Sequence, residues 1–127
     1  MAHVIGLGGL FLHSPDPDAL RAWYHRVLGL EFENWGGVAL PATRAAEQPG
    51  AASVFSLFGG ESDNAAAADK GFMFNLMVDD LVGILARCAE QGVLPVHRED
   101  MDGIGLFAHI IDPDGRKVEL WEPVAAS

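Results

Sequence analysis

The sequence predicts an α+β fold: two βαβββ modules forming a cupped, eight-stranded mixed sheet with both helices on the outside. Three observations carry this. An apolar strand, a capped helix and a set of short strands occur in that order twice, each helix has one apolar stripe, and the chain ends in a hairpin signal at Pro113-Asp114-Gly115. One βαβββ unit alone has an open sheet edge and half a core, so two units pair their sheets and leave an inner, concave surface for a ligand.

Taken in order, residues 4–12 are an apolar first strand. Asp16 is the N-cap of the first helix, Pro17 its first residue, and Gly29 lies just past its end. Within it Leu20, Trp23, Tyr24, Val27 and Leu28 follow the i, i+3, i+4, i+7, i+8 spacing of one buried stripe. Residues 30–33, 38–40 and 53–58 complete module one, about 1–60, with residues 44–50 as a mobile loop. Residues 61–70 are a linker whose Ala65-Ala66-Ala67-Ala68 run has room for a helical turn.

Module two, about 71–127, repeats the order with a strand at 72–78, the capping pair Asp79-Asp80, and a stripe of Leu81, Ile84, Leu85, Cys88 and Ala89 up to Gly92. Strands at 93–97, 106–111 and 117–121 follow. Pro113-Asp114-Gly115 is turn chemistry, and pairing Asp112 with Arg116 around it fixes the register of the last two strands. His109 then falls opposite Glu119, Ile111 opposite Lys117 and Phe107 opposite Trp121, while Ala108, Ile110, Val118 and Leu120 form a purely apolar opposite face.

The 127 residues, half of them apolar and 20% charged, suit one ordered domain, which at this size buries roughly two-thirds of its unfolded surface. Eight Lys and Arg against eighteen Asp and Glu give a net charge of −10, and no basic cluster occurs, which argues against nucleic acid and anionic membranes as partners. The single Cys88 excludes an intramolecular disulfide and fits a reducing compartment. The N-terminal apolar run is far shorter than the ~20 residues of a membrane span and has no basic region before it, so the expectation is a cytoplasmic protein.

The layout, the helix ending Trp23-Tyr24-His25-Arg26-Val27-Leu28-Gly29-Leu30, the segment Val78-Asp79-Asp80-Leu81 and the hairpin Asp112-Pro113-Asp114-Gly115 through Val118-Glu119-Leu120 resemble the vicinal oxygen chelate superfamily. It includes glyoxalase I, extradiol dioxygenases, fosfomycin-resistance proteins and bleomycin-binding proteins, and the resemblance spans nearly the whole chain. Metal-dependent members place a ligand on the first and last strand of each module. Here those positions fall at Gly9, near Met73, near Phe55 or Ser56, and at Glu119. Only Glu119 is a suitable ligand for a hard divalent ion, so the resemblance implies a domain that has lost the family metal and needs no cofactor.

The remaining candidates come from strand alternation. Met73, Asn75 and Met77 face the cavity if Phe72, Phe74, Leu76 and Val78 face the helix, and Leu7, Gly9 and Phe11 face it from the first strand. Gly9 marks either a close approach of a ligand or a bulge. Trp35, before Gly36-Gly37, is either a lid over the mouth or an ordinary apolar contact. His3, His13, His25 and His97 read as exposed or edge histidines. The pair His109 and Glu119 admits three roles: a cross-strand bond that orients the hairpin, a ligand anchor, or an acid–base pair sharing a proton. A cavity lined by Phe11, Trp35, Met73, Asn75, Met77, Phe107 and Trp121 around His109 and Glu119 suits a small, largely apolar organic molecule with one or two polar groups. The alternatives are a glyoxalase-like lyase, isomerase or dioxygenase, either metal-dependent or using Glu119 and His109 as acid and base, and a structural or regulatory module whose cavity is vestigial. Open sheet edges, and the subunit pairing common in the superfamily, predict a homodimer.

Overall fold

The computed structural model describes residues 2–58 and 72–124. Helix α1 is Pro17–Leu28, α2 is a single turn at Ala42–Ala45, and α3 is Leu81–Glu90. One four-stranded sheet contains β1 (Phe74–Met77), β2 (His97–Met101), β3 (Gly105–Ile111) and β4 (Lys117–Pro123), in the order β1-β4-β3-β2. β4 pairs in parallel with β1 and antiparallel with β3, which in turn pairs antiparallel with β2. None of the described helices is long and apolar enough to cross a membrane.

The helix boundaries follow the capping chemistry. Asp16 accepts from the Ala19 amide at 3.1 Å with Pro17 behind it, and Gly29, at φ 75°, donates its amide to the His25 carbonyl. Asp80 accepts from the Gly83 amide at 3.0 Å, and α3 closes at Gln91, one residue before Gly92. The stripes Leu20, Trp23, Tyr24, Val27 and Leu81, Leu85, Cys88 are buried against Ala108, Ile110, Val118 and Leu120, so both helices cover the apolar face of the hairpin. Ala89, expected in the second stripe, is exposed, because the stripe turns away from the sheet after Cys88.

The hairpin adopts the expected register. Asp112 donates its amide to the Arg116 carbonyl at 2.9 Å, Gly115 takes φ 86°, and Phe107, His109 and Ile111 stand opposite Trp121, Glu119 and Lys117. The strand expected at 93–97 instead begins at His97 and runs to Met101. Its sequence His-Arg-Glu-Asp-Met is exposed throughout, and an edge strand with both faces in water carries no apolar alternation to betray it.

The expectation of eight strands is corrected to one sheet of four among the described residues. The segments 4–12, 30–33, 38–40 and 53–58 form no ladder. A Cβ placed on Gly6 would lie 3.3 Å from Ser53 Oγ, so the first and last of them do run side by side at that point. Their apolar side chains are open to solvent, Val4 at 96% and Ile5 at 99%, with Phe55 and Leu57 similar. Apolar runs of this kind suit a sheet, but a ladder needs continuous pairing with another strand, and among the described residues these segments have none. Between them Glu33 donates to the Gly37 carbonyl around a tight turn. The loop expected at 44–50 begins inside the last two residues of α2 and continues as turns, with Arg44 bonded to Asp79 at 2.8 Å and Gln48 to the Pro123 carbonyl at 3.3 Å. The linker at 61–70 lies outside the described residues.

Candidate functional site

The site is built around the middle of β4. Parallel pairing sets Asn75 of β1 beside Glu119, and antiparallel pairing sets His109 of β3 on its other side. Glu119 Oε1 accepts from Asn75 Nδ2 at 2.8 Å, and Oε2 lies 2.7 Å from His109 Nε2. Two registers further along the same strands, Met77 stands beside Trp121 and Phe107 opposite it. The Phe107 and Trp121 rings stack, 6.0 Å between centroids and 6° between planes. The Trp121 indole donates to the Ile104 carbonyl at 3.0 Å, which fixes the ring plane.

Gly105 makes that packing possible, and sequence reasoning missed it. At φ 141°, a Cβ there would lie 2.2 Å from the Glu122 carbonyl oxygen and 2.7 Å from Trp121 Nε1. His97 was also missed as a neighbour of the site. It pairs with His109 across β2 and β3, its ring 5.0 Å away and tilted by 43°. The signal was present in Asp102-Gly103, a turn that closes the β2–β3 hairpin with Ile104 bonded back to Met101.

His109 is 6% exposed and Glu119 half-buried, so the pair is largely removed from water. His109 Nδ1 is buried without a hydrogen-bond partner, the one such side-chain atom among the described residues. Met73, just before β1, is half-buried. Phe11 and Trp35 stand apart in exposure, at 87% and 68%. The Phe11 ring lies over Gly9, where a Cβ would be 3.0 Å from Cζ, and the Trp35 indole donates to Glu33 at 2.9 Å. Gly9 thus leaves room for a ring of this chain.

Among the described residues no three His, Cys, Asp or Glu side chains gather as an ion would need, and each Glu119 oxygen already faces a side-chain nitrogen.

A buried network anchors the hairpin to α1. Asp112, 3% exposed, accepts from the Tyr24 hydroxyl at 2.8 Å and from the Asp114 and Arg116 amides at 2.9 and 3.0 Å. Burial, then the Asp112 hydrogen bond, pushes the Tyr24 phenol well above its ordinary range. Arg116 spans this turn, bonding Asp114 at 3.1 Å and the His13 carbonyl. At the other end of the sheet a cavity of about 200 Å³ opens between Leu81, Arg98, Asp100 and Leu106, and of the expected site residues it takes in Phe107.

The geometry can be set beside known proteins. No curated protein matches the chain. Solved structures that share the fold include these three. TioX from Micromonospora sp. ML1 is 17% identical over 99% of both chains with a TM-score of 0.54. Lactoylglutathione lyase from Agrobacterium tumefaciens is 20% identical over 96% of this chain and 94% of its own, with a TM-score of 0.52. TnmS3, an antibiotic binding protein from Streptomyces sp. CB03234, is 17% identical over 97% of both, with a TM-score of 0.50. The family model of the Glyoxalase/Bleomycin resistance protein/Dioxygenase superfamily matches residues 3–120, so the chain belongs to that superfamily.

Proposed function

We propose that this protein binds a small, largely apolar organic molecule on the sheet face that carries Asn75, Met77, Phe107, His109, Glu119 and Trp121, and that it does so without the family metal or any other cofactor. One observation carries the reading: a single polar cluster, Asn75–Glu119–His109, sits beside a stacked aromatic pair and a methionine on one face. That is the composition of a site in which apolar surface supplies affinity and a few polar atoms supply orientation. The antibiotic-binding relative TnmS3 agrees with it. Met73, Phe11 and Trp35 are further parts of the proposed lining.

The exposed apolar side chains of residues 4–11 and 53–58 favour a homodimer, in which a second copy covers them. We place the protein in the cytoplasm as one domain of two modules. A second reading, an enzyme of the lyase, isomerase or dioxygenase kind using Glu119 and His109 as acid and base, draws on the buried 2.7 Å contact between them.

Mass spectrometry of protein purified without chelator tests the proposal. The expected result is a co-purified organic molecule and substoichiometric metal. Stoichiometric zinc, nickel, manganese or iron that disappears in Glu119→Gln refutes the metal-free reading. Sedimentation as a ~14 kDa monomer at micromolar concentration, a condition in which stable interfaces persist, refutes the dimer.

A further inference from the structure

The buried, unpartnered Nδ1 of His109 bears on what the ligand must carry. Glu119 as a carboxylate can only accept, and Asn75 donates to its Oε1 at 2.8 Å. The other oxygen, 2.7 Å from His109 Nε2, therefore takes a proton-bearing nitrogen. A neutral imidazole has one N–H, and the hydrogen bond at one nitrogen decides the state of the other. With the proton on Nε2, Nδ1 is a bare lone pair, buried and unsatisfied.

We propose that His109 Nδ1 is the hydrogen-bond acceptor for the ligand, which accordingly carries an O–H or N–H donor on an apolar or aromatic frame; this rests on the binding reading above. An orphaned buried acceptor is a standing cost that an incoming donor removes, and it discriminates against a molecule that lacks one. Asn75 is a positioning residue, since it holds Glu119 from the side opposite His109. The ring nearest His109 is that of His97, 5.0 Å away and half-exposed on the edge strand β2.

The test uses the 127-residue chain, ¹⁵N-labelled, with 4-chlorophenol and 4-chloroanisole as probes, in the second of which a methyl group replaces the donor hydrogen. Long-range ¹H–¹⁵N correlations at pH 8 are expected to show the Nε2–H tautomer of His109. Adding 4-chlorophenol then moves the Nδ1 resonance, and the phenol binds about tenfold more tightly than the ether, the value of one hydrogen bond to a buried acceptor. In Glu119→Gln the new amide donates to Nε2, moves the ring proton to Nδ1, and reduces the preference for the phenol to about twofold or less. An Nδ1–H tautomer in the wild-type protein, or equal affinity for the two probes, refutes the acceptor role and leaves the binding reading intact. If neither probe at millimolar concentration shifts the Phe107, His109 or Trp121 resonances, the binding reading falls and this inference with it.

Discussion

Replacing Tyr24 by Phe isolates one hydrogen bond whose surroundings are fully specified. The ring is buried and packs edge-on against Trp23, 4.9 Å between centroids, a contact that Phe retains. What is lost is the 2.8 Å bond to Asp112 Oδ2, which is left with the Arg116 guanidinium at 3.4 Å. A buried bond to a charged acceptor is worth about 1.5–3 kcal/mol, so about 2 kcal/mol is expected from urea unfolding at pH 7 with an unchanged denaturant slope. The pH dependence gives a second, independent reading. The folded-state pKa of Tyr24 lies above its ordinary 10.0, so the phenol contributes stability in full below pH 10 and loses it as pH rises through the folded value. The phenylalanine variant has nothing to titrate there. The gap between the two proteins should narrow by about 1.4 kcal/mol at pH 11. A gap under about 0.5 kcal/mol at pH 7, below the range for such a bond, or one that stays constant to pH 11, would refute the reasoning.

Gly105→Ala should cost about 3 kcal/mol or more, since it combines a strained φ with a Cβ against the Glu122 carbonyl, and thermal melts will read it. Val118→Ala, on a fully buried side chain, should cost about 2 kcal/mol, in denaturant unfolding, from the two methyl groups and the void they leave. Asp80→Ala removes the cap of α3 and should cost about 1 kcal/mol by the same measurement. The Cys88 thiol, pushed up by burial and without solvent contact, should react with iodoacetamide only as fast as the protein opens, so that mild denaturant accelerates labelling steeply.

What the sequence revealed depended on whether local chemistry or distant partners decided the outcome. The α1 and hairpin boundaries were legible because Asp16, Pro17, Gly29 and Pro113-Asp114-Gly115 each act on the nearest few residues. The pairing of His109 with Glu119 followed from the turn alone. The bond from Asn75 to Glu119 did not, because it depends on a parallel pairing that no turn specifies. β2 was hidden by its charged sequence, and Gly105 by a clash that exists only once Trp121 and Glu122 are packed beside it. In the first module the opposite error occurred, where the apolar run at 4–12 and the short apolar segment at 53–58 indicated strands that find no ladder within the described residues.

The mixed pairing of β4 also sets an order in time. His109 and Glu119 are 10 residues apart and meet when the β3–β4 hairpin closes, whereas Asn75 must cross 44 residues to reach the same carboxylate. Closing the longer loop, which includes α3, costs more chain entropy. On these grounds the dyad forms early and its third member locks late, so a chain that has made the hairpin but not the parallel pairing presents a Glu119 free to swing. Pulse-labelled hydrogen exchange would find β3 and β4 amides protected before those of β1, and simultaneous protection would remove the ordering.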